Sequence, residues 1–225
     1  MAHIIEPIVD LPIKSALEKV REAHAFVSAR VIAAHALIST DSTHWGIATK
    51  RMYVNLRGGP ALIGKSAEKF VELINILATS ERTIEALDWL AKHYSDLIVR
   101  ECHASTSDFK DGNDIVLVNS NGAVKVRCEV CDVASSNAGQ NKKEENDLKV
   151  LGCSEAVPTD GADRFIATSQ EFATALASPK RKWLSKHYRY DSINTGLPQN
   201  TIMLKIMPTK VELTCRPKSS ARFDL

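Results

Sequence analysis

The stretch Asp114-Ile115-Val116-Leu117-Val118-Asn119-Ser120-Asn121-Gly122-Ala123-Val124-Lys125-Val126-Arg127-Cys128-Glu129-Val130-Cys131 decides the reading of this chain. Asn121-Gly122 is a strong hairpin signal, because both central residues of a type I′ turn need positive φ. With these two as the loop, Ser120 faces Ala123 and paired residue numbers sum to 243, so Asp114 lies opposite Glu129. Their side chains then share one face, with Cβ atoms ~5 Å apart. The other face carries Ile115 and Leu117 against Val124, Val126, Cys128 and Val130. It is apolar throughout, so it is expected to face the core and to leave Asp114 and Glu129 together on the far side. A loop at Ser120-Asn121 would instead set Asp114 opposite Arg127.

Two directly opposed carboxylates repel and need a cation, a shared proton or a neighbouring base. A divalent ion with oxygen ligands suits the geometry. The Val130 carbonyl is a candidate third ligand, and Cys131 lies on the same face, two residues beyond Glu129. The alternative is a solvated salt-bridge ladder, since Lys125 and Arg127 also share the face of Glu129. Spacing alone leaves both open.

Working outward, Asp10-Leu11-Pro12 reads as a helix start, with Pro12 in the first turn. Leu17, Val20, Val27, Val31 and Ile38 then predict one amphipathic helix over residues 12–38. His24 and His35 ride on it about three turns apart, too far to share a metal. Residues 41–64 suggest short extended pieces and the loop Arg57-Gly58-Gly59-Pro60. Gly64-Lys65-Ser66 echoes only the ending of a phosphate-binding loop. Ser66 is expected to cap a second helix bearing Phe70, Val71, Ile74 and Leu77. Ser80 and Glu81 are expected to open a third, over residues 81–101. After the hairpin come a polar loop, a charged helix at 142–151 and a short strand at 164–168. A basic helix at 170–188 and strands at 201–206 and 210–215 complete the pattern. The order of elements predicts an α/β fold, with a mainly helical region at 1–80 packed on an α/β core at 81–225.

An acidic residue opening a strand, a turn, and a second strand carrying Glu-x-(Lys), followed by a polar loop, a charged helix and a short strand, resembles the PD-(D/E)xK, or restriction-endonuclease-like, superfamily. The resemblance covers residues 81–175. It implies a mixed central sheet flanked by helices. Asp114 and Glu129 would be the metal-binding carboxylates, with Val130 contributing its carbonyl, and Glu101 an auxiliary acid on the preceding helix. The position of the family's lysine is Cys131 here, which is the chief departure. In the family that lysine orients or activates the attacking water. Here another base, such as Lys125, Lys142 or Lys143, would have to serve, or the site would be inactive. The implied activity is hydrolysis of DNA phosphodiesters by a divalent-metal-dependent endonuclease, of which a type II restriction enzyme is one form, with Mg²⁺ or Mn²⁺ as cofactor. The rival is a nuclease-fold protein without catalysis that binds DNA or another protein. The basic and aromatic stretch Lys180, Arg181, Lys182, Trp183, Lys186, Tyr188, Arg189 suits contact with a polyanion. The expected partners are DNA and, in a homodimer, a second copy of the chain.

Composition neither supports nor opposes this. The chain has 225 residues and a net charge of +2, so bulk charge announces no nucleic-acid partner. No segment approaches ~18 consecutive apolar residues, and no membrane partner is expected. Residues 1–12 lack the pattern of a signal peptide. Five cysteines argue against a disulfide framework and for a reducing, cytoplasmic setting. Cys128-x-x-Cys131 invites zinc, but residues three apart on a strand point to opposite faces. A Cys131–His nucleophile pair has no local sequence support.

Overall fold

The structure, a computed structural model, is described over residues 8–39, 70–104, 113–131, 151, 160–170, 173–174, 188–194 and 201–208. The elements in chain order are β1 (Ile8–Pro12), α1 (Ile13–Ser39), α2 (Phe70–His93), β2 (Ile98–Cys102), β3 (Ile115–Val118), β4 (Val124–Cys131), β5 (Asp163–Thr168), β6 (Tyr188–Asn194) and β7 (Ile202–Pro208). The strands form one seven-stranded sheet in the order β1-β2-β3-β4-β5-β7-β6. Strands β1 to β4 run antiparallel in sequence, β4 and β5 are parallel, and β5, β7 and β6 are again antiparallel. The fold is therefore mixed α/β. Among the described residues no helix is long and apolar enough to cross a membrane.

Helix α1 carries Ile13, Ala16, Leu17, Val20 and Val27 into the core, the periodicity expected of one amphipathic helix. Helix α2 packs against α1 and reaches β4 and β5. Its inward face presents Ile76, Ala86, Leu87, Trp89 and Leu90. Trp89 meets Phe165 of β5 edge-on at 5.3 Å between centroids, a favoured aromatic geometry. Lys92 and His93 close α2 where cations suit the helix dipole. The break expected before Ser80 is absent, and α2 runs through it. Ser80 is instead a buried mid-helix residue that bonds back to the Leu77 carbonyl and meets His24 Nδ1 at 3.0 Å.

Strand β1 departs from expectation. Its residues read as a helix entrance, yet Ile8 to Pro12 pair with Cys102 to Ile98 at the edge of the sheet. An edge strand tolerates Pro12 and the left-handed Asp10 at φ 52°. Of the later elements, β5 and β7 take the expected places. Tyr188, expected in a helix, opens β6 and pairs with Pro208. The expected helix at 142–151, except Leu151, the pieces at 41–64 and the strand at 210–215 lie outside the described residues.

The sheet buries both faces. Val99, Cys102, Ile115, Leu117, Val126, Cys128, Val130, Phe165, Ala167 and Met203 belong to the core shared with α1 and α2. On the opposite face Val116, Val118, Glu129, Cys131, Ile166 and Thr168 are also buried. A register shift between Val99 and Glu101 changes which side of β2 faces the helices. It turns Cys102 inward and Glu101 to the side of Asp114.

Candidate active site

The register of β3 on β4 is the expected one, reached by a route that differs from expectation. Pairing runs Ile115 with Cys128, Val116 with Arg127 and Leu117 with Val126, so residue numbers sum to 243, and continuing that register by one step would set Asp114 beside Glu129. The turn itself is not type I′. Asn119 N donates to Ala123 O at 3.0 Å and Gly122 N to Asn119 O at 2.9 Å, closing a loop of Ser120, Asn121 and Gly122. Only Gly122 has positive φ, at 77°. This is a type I turn followed by a left-handed glycine. A longer loop alone would slip the register by one. A shift between Leu117 and Val118, against Val124 to Val126, restores it.

Backbone and side-chain contacts agree with the juxtaposition. Asp114 Oδ2 accepts the Val130 N–H at 2.7 Å, and Asp114 O accepts the His103 N–H at 2.7 Å. The acid thus sits between the ends of β2 and β4. Glu129 is buried at 5% exposure, rather than set out on a solvated face. Its Oε1 accepts from Asn113 Nδ2 at 2.8 Å, and Asn113 is itself buried. A salt-bridge ladder in which Arg127 directly faces the carboxylates is not what the geometry gives. Arg127 donates through Nη1 to Asn113 Oδ1 at 3.0 Å and through Nε to Asp160 Oδ2 at 2.9 Å. Asp160 Oδ1 accepts in turn from Arg164 Nη2 at 2.6 Å.

Cys131 lies on the Glu129 side of β4, buried at 1% exposure, and its carbonyl accepts from Thr168 Oγ1 at 2.8 Å. Cys128 belongs to the helix-side core, so Cys128 and Cys131 do not face one site. Burial, then the neighbouring Glu129 and Asp114, push the Cys128 thiol far up. Burial and Asp114 do the same to Cys102. Burial and the nearby carboxylates thus favour the neutral thiol at both positions, which makes them poor nucleophiles.

No family model, no curated protein and no solved structure matches this chain.

The remaining candidates are scattered. Glu101, expected on a helix, is on β2 beside Val116, with Oε2 at 3.9 Å from His103 Nε2. Lys180, Arg181, Lys182 and Lys186 lie outside the described residues. Arg189 is on β6, paired with Met207, toward the sheet's other edge. Among the described residues no three His, Cys, Asp or Glu side chains form a ligand set. Asn113, Asp160 and Arg164 are absent from the expectations drawn from sequence. Asp160-Gly161 is legible as a turn, and Gly161 has φ 63°, but a turn signal does not reveal what the aspartate will hold.

Proposed function

We propose that the chain is a divalent-metal-dependent endonuclease that hydrolyses DNA phosphodiesters on a restriction-endonuclease-like core. The observation that carries this reading is the bond from the Val130 amide to Asp114 Oδ2, which with the β3–β4 register brings Asp114 to the residue next to Glu129. The order of elements supports it: helix α2, the antiparallel meander β2-β3-β4, then β5 parallel to β4. A parallel neighbour requires a crossover connection, the place where the charged helix 142–151 is expected.

The donor set fits a hard ion. Asp114 and Glu129 offer oxygen only, and an ionised carboxylate has about four lone-pair sites, so it can accept hydrogen bonds and still ligate an ion. Asp114, Glu129 and the Val130 carbonyl would hold Mg²⁺ or Mn²⁺, with water and phosphate oxygens completing the shell. Bound there, the ion would acidify a water and offset charge developing on the phosphate. The chain's own part is to fix the carboxylates. The Val130 amide holds Asp114, and the Asn113 amide holds Glu129. Lys180, Arg181, Lys182, Lys186 and Arg189 would grip the DNA backbone.

Incubation of the full chain with supercoiled plasmid and Mg²⁺ or Mn²⁺ tests the proposal. Cleavage by the wild type that is lost in Asp114→Asn and in Glu129→Gln supports it. Cleavage that survives both substitutions overturns it. One observation favours a second reading, a DNA-binding protein on the same fold without catalysis: the buried side chain of Cys131 stands where the family has lysine. Plasmid binding that persists without cleavage in either metal selects that reading.

A further inference from the structure

The resemblance assigns Asp114, Glu129 and the residue at 131, but it says nothing of Asn113. That residue is 2% exposed and lies between a cation and an acid. Its Oδ1 accepts from Arg127 Nη1 at 3.0 Å, while its Nδ2 donates to Glu129 Oε1 at 2.8 Å. Only one amide orientation allows this. A guanidinium has donors only, and an ionised carboxylate has acceptors only. Reversing the amide would set N–H against N–H and oxygen against oxygen. Arg127 therefore dictates which end of Asn113 meets Glu129.

Arg127 is itself braced. Its Nε is held by Asp160 Oδ2 at 2.9 Å, and Asp160 Oδ1 by Arg164 Nη2 at 2.6 Å. Arg164 is 6% exposed and donates to the carbonyls of Leu151 at 2.6 Å and Ala162 at 2.7 Å. The series Arg164, Asp160, Arg127, Asn113, Glu129 spans β5, the turn before it, β4 and the start of β3. It ends on a carboxylate oxygen.

We propose that Asn113, oriented by Arg127, is a positioning residue that fixes the Glu129 carboxylate for a divalent cation; the proposal rests on the reading of Asp114 and Glu129 as the cation site. The device keeps the arginine one amide away from the acid. A guanidinium placed directly on Glu129 would compete with the ion for the same oxygens. A neutral amide aims the carboxylate without itself neutralising it.

The test is Mn²⁺ binding by the full chain, read by electron paramagnetic resonance of the free ion, with circular dichroism to check folding. Asn113→Leu should weaken Mn²⁺ binding about tenfold. Arg127→Ala, at a partly exposed side chain and so gentler on folding, should weaken it about threefold. Both effects should vanish in a Glu129→Asp background, which keeps a carboxylate but withdraws it by one methylene from the amide. Groups that act through one another are non-additive in this way, whereas a general structural defect would add. If the wild type binds Mn²⁺ and Glu129→Gln weakens it, while Asn113→Leu and Arg127→Ala bind as the wild type does, the positioning role is overturned and the site stands. Undiminished weakening by the two substitutions in the Glu129→Asp background overturns the positioning role as well. If Glu129→Gln binds Mn²⁺ as the wild type does, the cation site falls, and the positioning role with it.

Discussion

Arg127 and Arg164 are direct register partners on the parallel strands β4 and β5, and Asp160 holds both, one oxygen to each. Two like charges side by side on a sheet would ordinarily repel. Here a shared carboxylate turns them into a brace behind the candidate site.

The first prediction concerns that carboxylate. Burial alone would raise Asp160, but hydrogen bonds from Arg164, Arg127 and the Ala162 N–H outweigh it and bring the group down to about 2. The folded pKa is thus below the unfolded value of ~3.9, so this stabilisation is complete above pH ~4. It is lost as the pH falls through about 2. Asp160→Ala should cost about 2 kcal/mol at pH 7, because it strands the buried Arg164 guanidinium; Asp160 is partly exposed, which trims the usual penalty. Urea unfolding at pH 7 and pH 2 checks both points. The difference between wild type and variant should shrink at the lower pH.

A second prediction joins α2 to β5. Tyr94 Oη donates to Asp163 Oδ2 at 2.7 Å, and Lys205 Nζ holds Oδ1 at 2.7 Å. Burial first, then the bond to Asp163 and its charge, hold the Tyr94 phenol far above its ordinary range. A raised folded pKa gives stability that is present below the unfolded value of ~10 and is lost above it. Tyr94→Phe should cost about 1 kcal/mol at neutral pH. It should also make stability fall less steeply above pH ~10, as thermal melts from pH 8 to 11 would show.

The hairpin gives a third. Gly122 has φ 77° and open space around its Cα, so Gly122→Ala meets no clash and loses conformational energy alone. The expected cost is about 1 kcal/mol. Asn121 has no left-handed requirement here, so Asn121→Ala should change stability by less than about 0.5 kcal/mol. Asn119 matters more than Asn121. Its Oδ1 accepts the N–H groups of Asn121 and Ala123, and Asn119→Ala should cost about 1 kcal/mol. A type I′ turn would reverse the ranking of Asn121 and Asn119 in chemical denaturation.

The fourth concerns Cys131. A hard ion prefers oxygen, so the sulfur is not a ligand for magnesium. Cys131→Ser should keep plasmid cleavage within about tenfold, or ~1.4 kcal/mol of barrier. Asp114→Ala and Glu129→Ala should abolish it. If Cys131→Ser alone is dead while Glu129→Ala still cuts, the thiol is the reacting group and the nuclease reading is wrong.

The hairpin was legible because alternation and a turn dipeptide are local signals. The register of Ile115 to Leu117 on Val126 to Cys128 is as expected only because two departures cancel, the longer loop and the shift beside Val118. Neither is written in a residue pattern. The edge strand β1 was hidden because Asp10 and Pro12 are poor strand residues, acceptable only where one side of the strand lacks a partner. Glu101 fell on a strand because α2 stops at His93, where Tyr94 N takes the Leu90 carbonyl and a turn follows. The burial of Glu129 was missed because alternation tells which residues share a face, not whether something covers it. Asn113 escaped notice because its partners are 14 and 16 residues away and become neighbours only through the register.

The sheet order also sets a sequence of assembly. Among the described residues strand β6 reaches the sheet only through β7, yet the chain makes β6 first. During vectorial synthesis β6 must therefore wait for its docking partner. Until β7 arrives, the side of β5 that pairs with it, from Phe165 to Thr168, offers unpaired backbone groups amid apolar side chains. Such an edge invites pairing with another chain. A ribosome stalled before residue 202 would thus release a species prone to self-association, and closure of the sheet belongs to the last stage of folding.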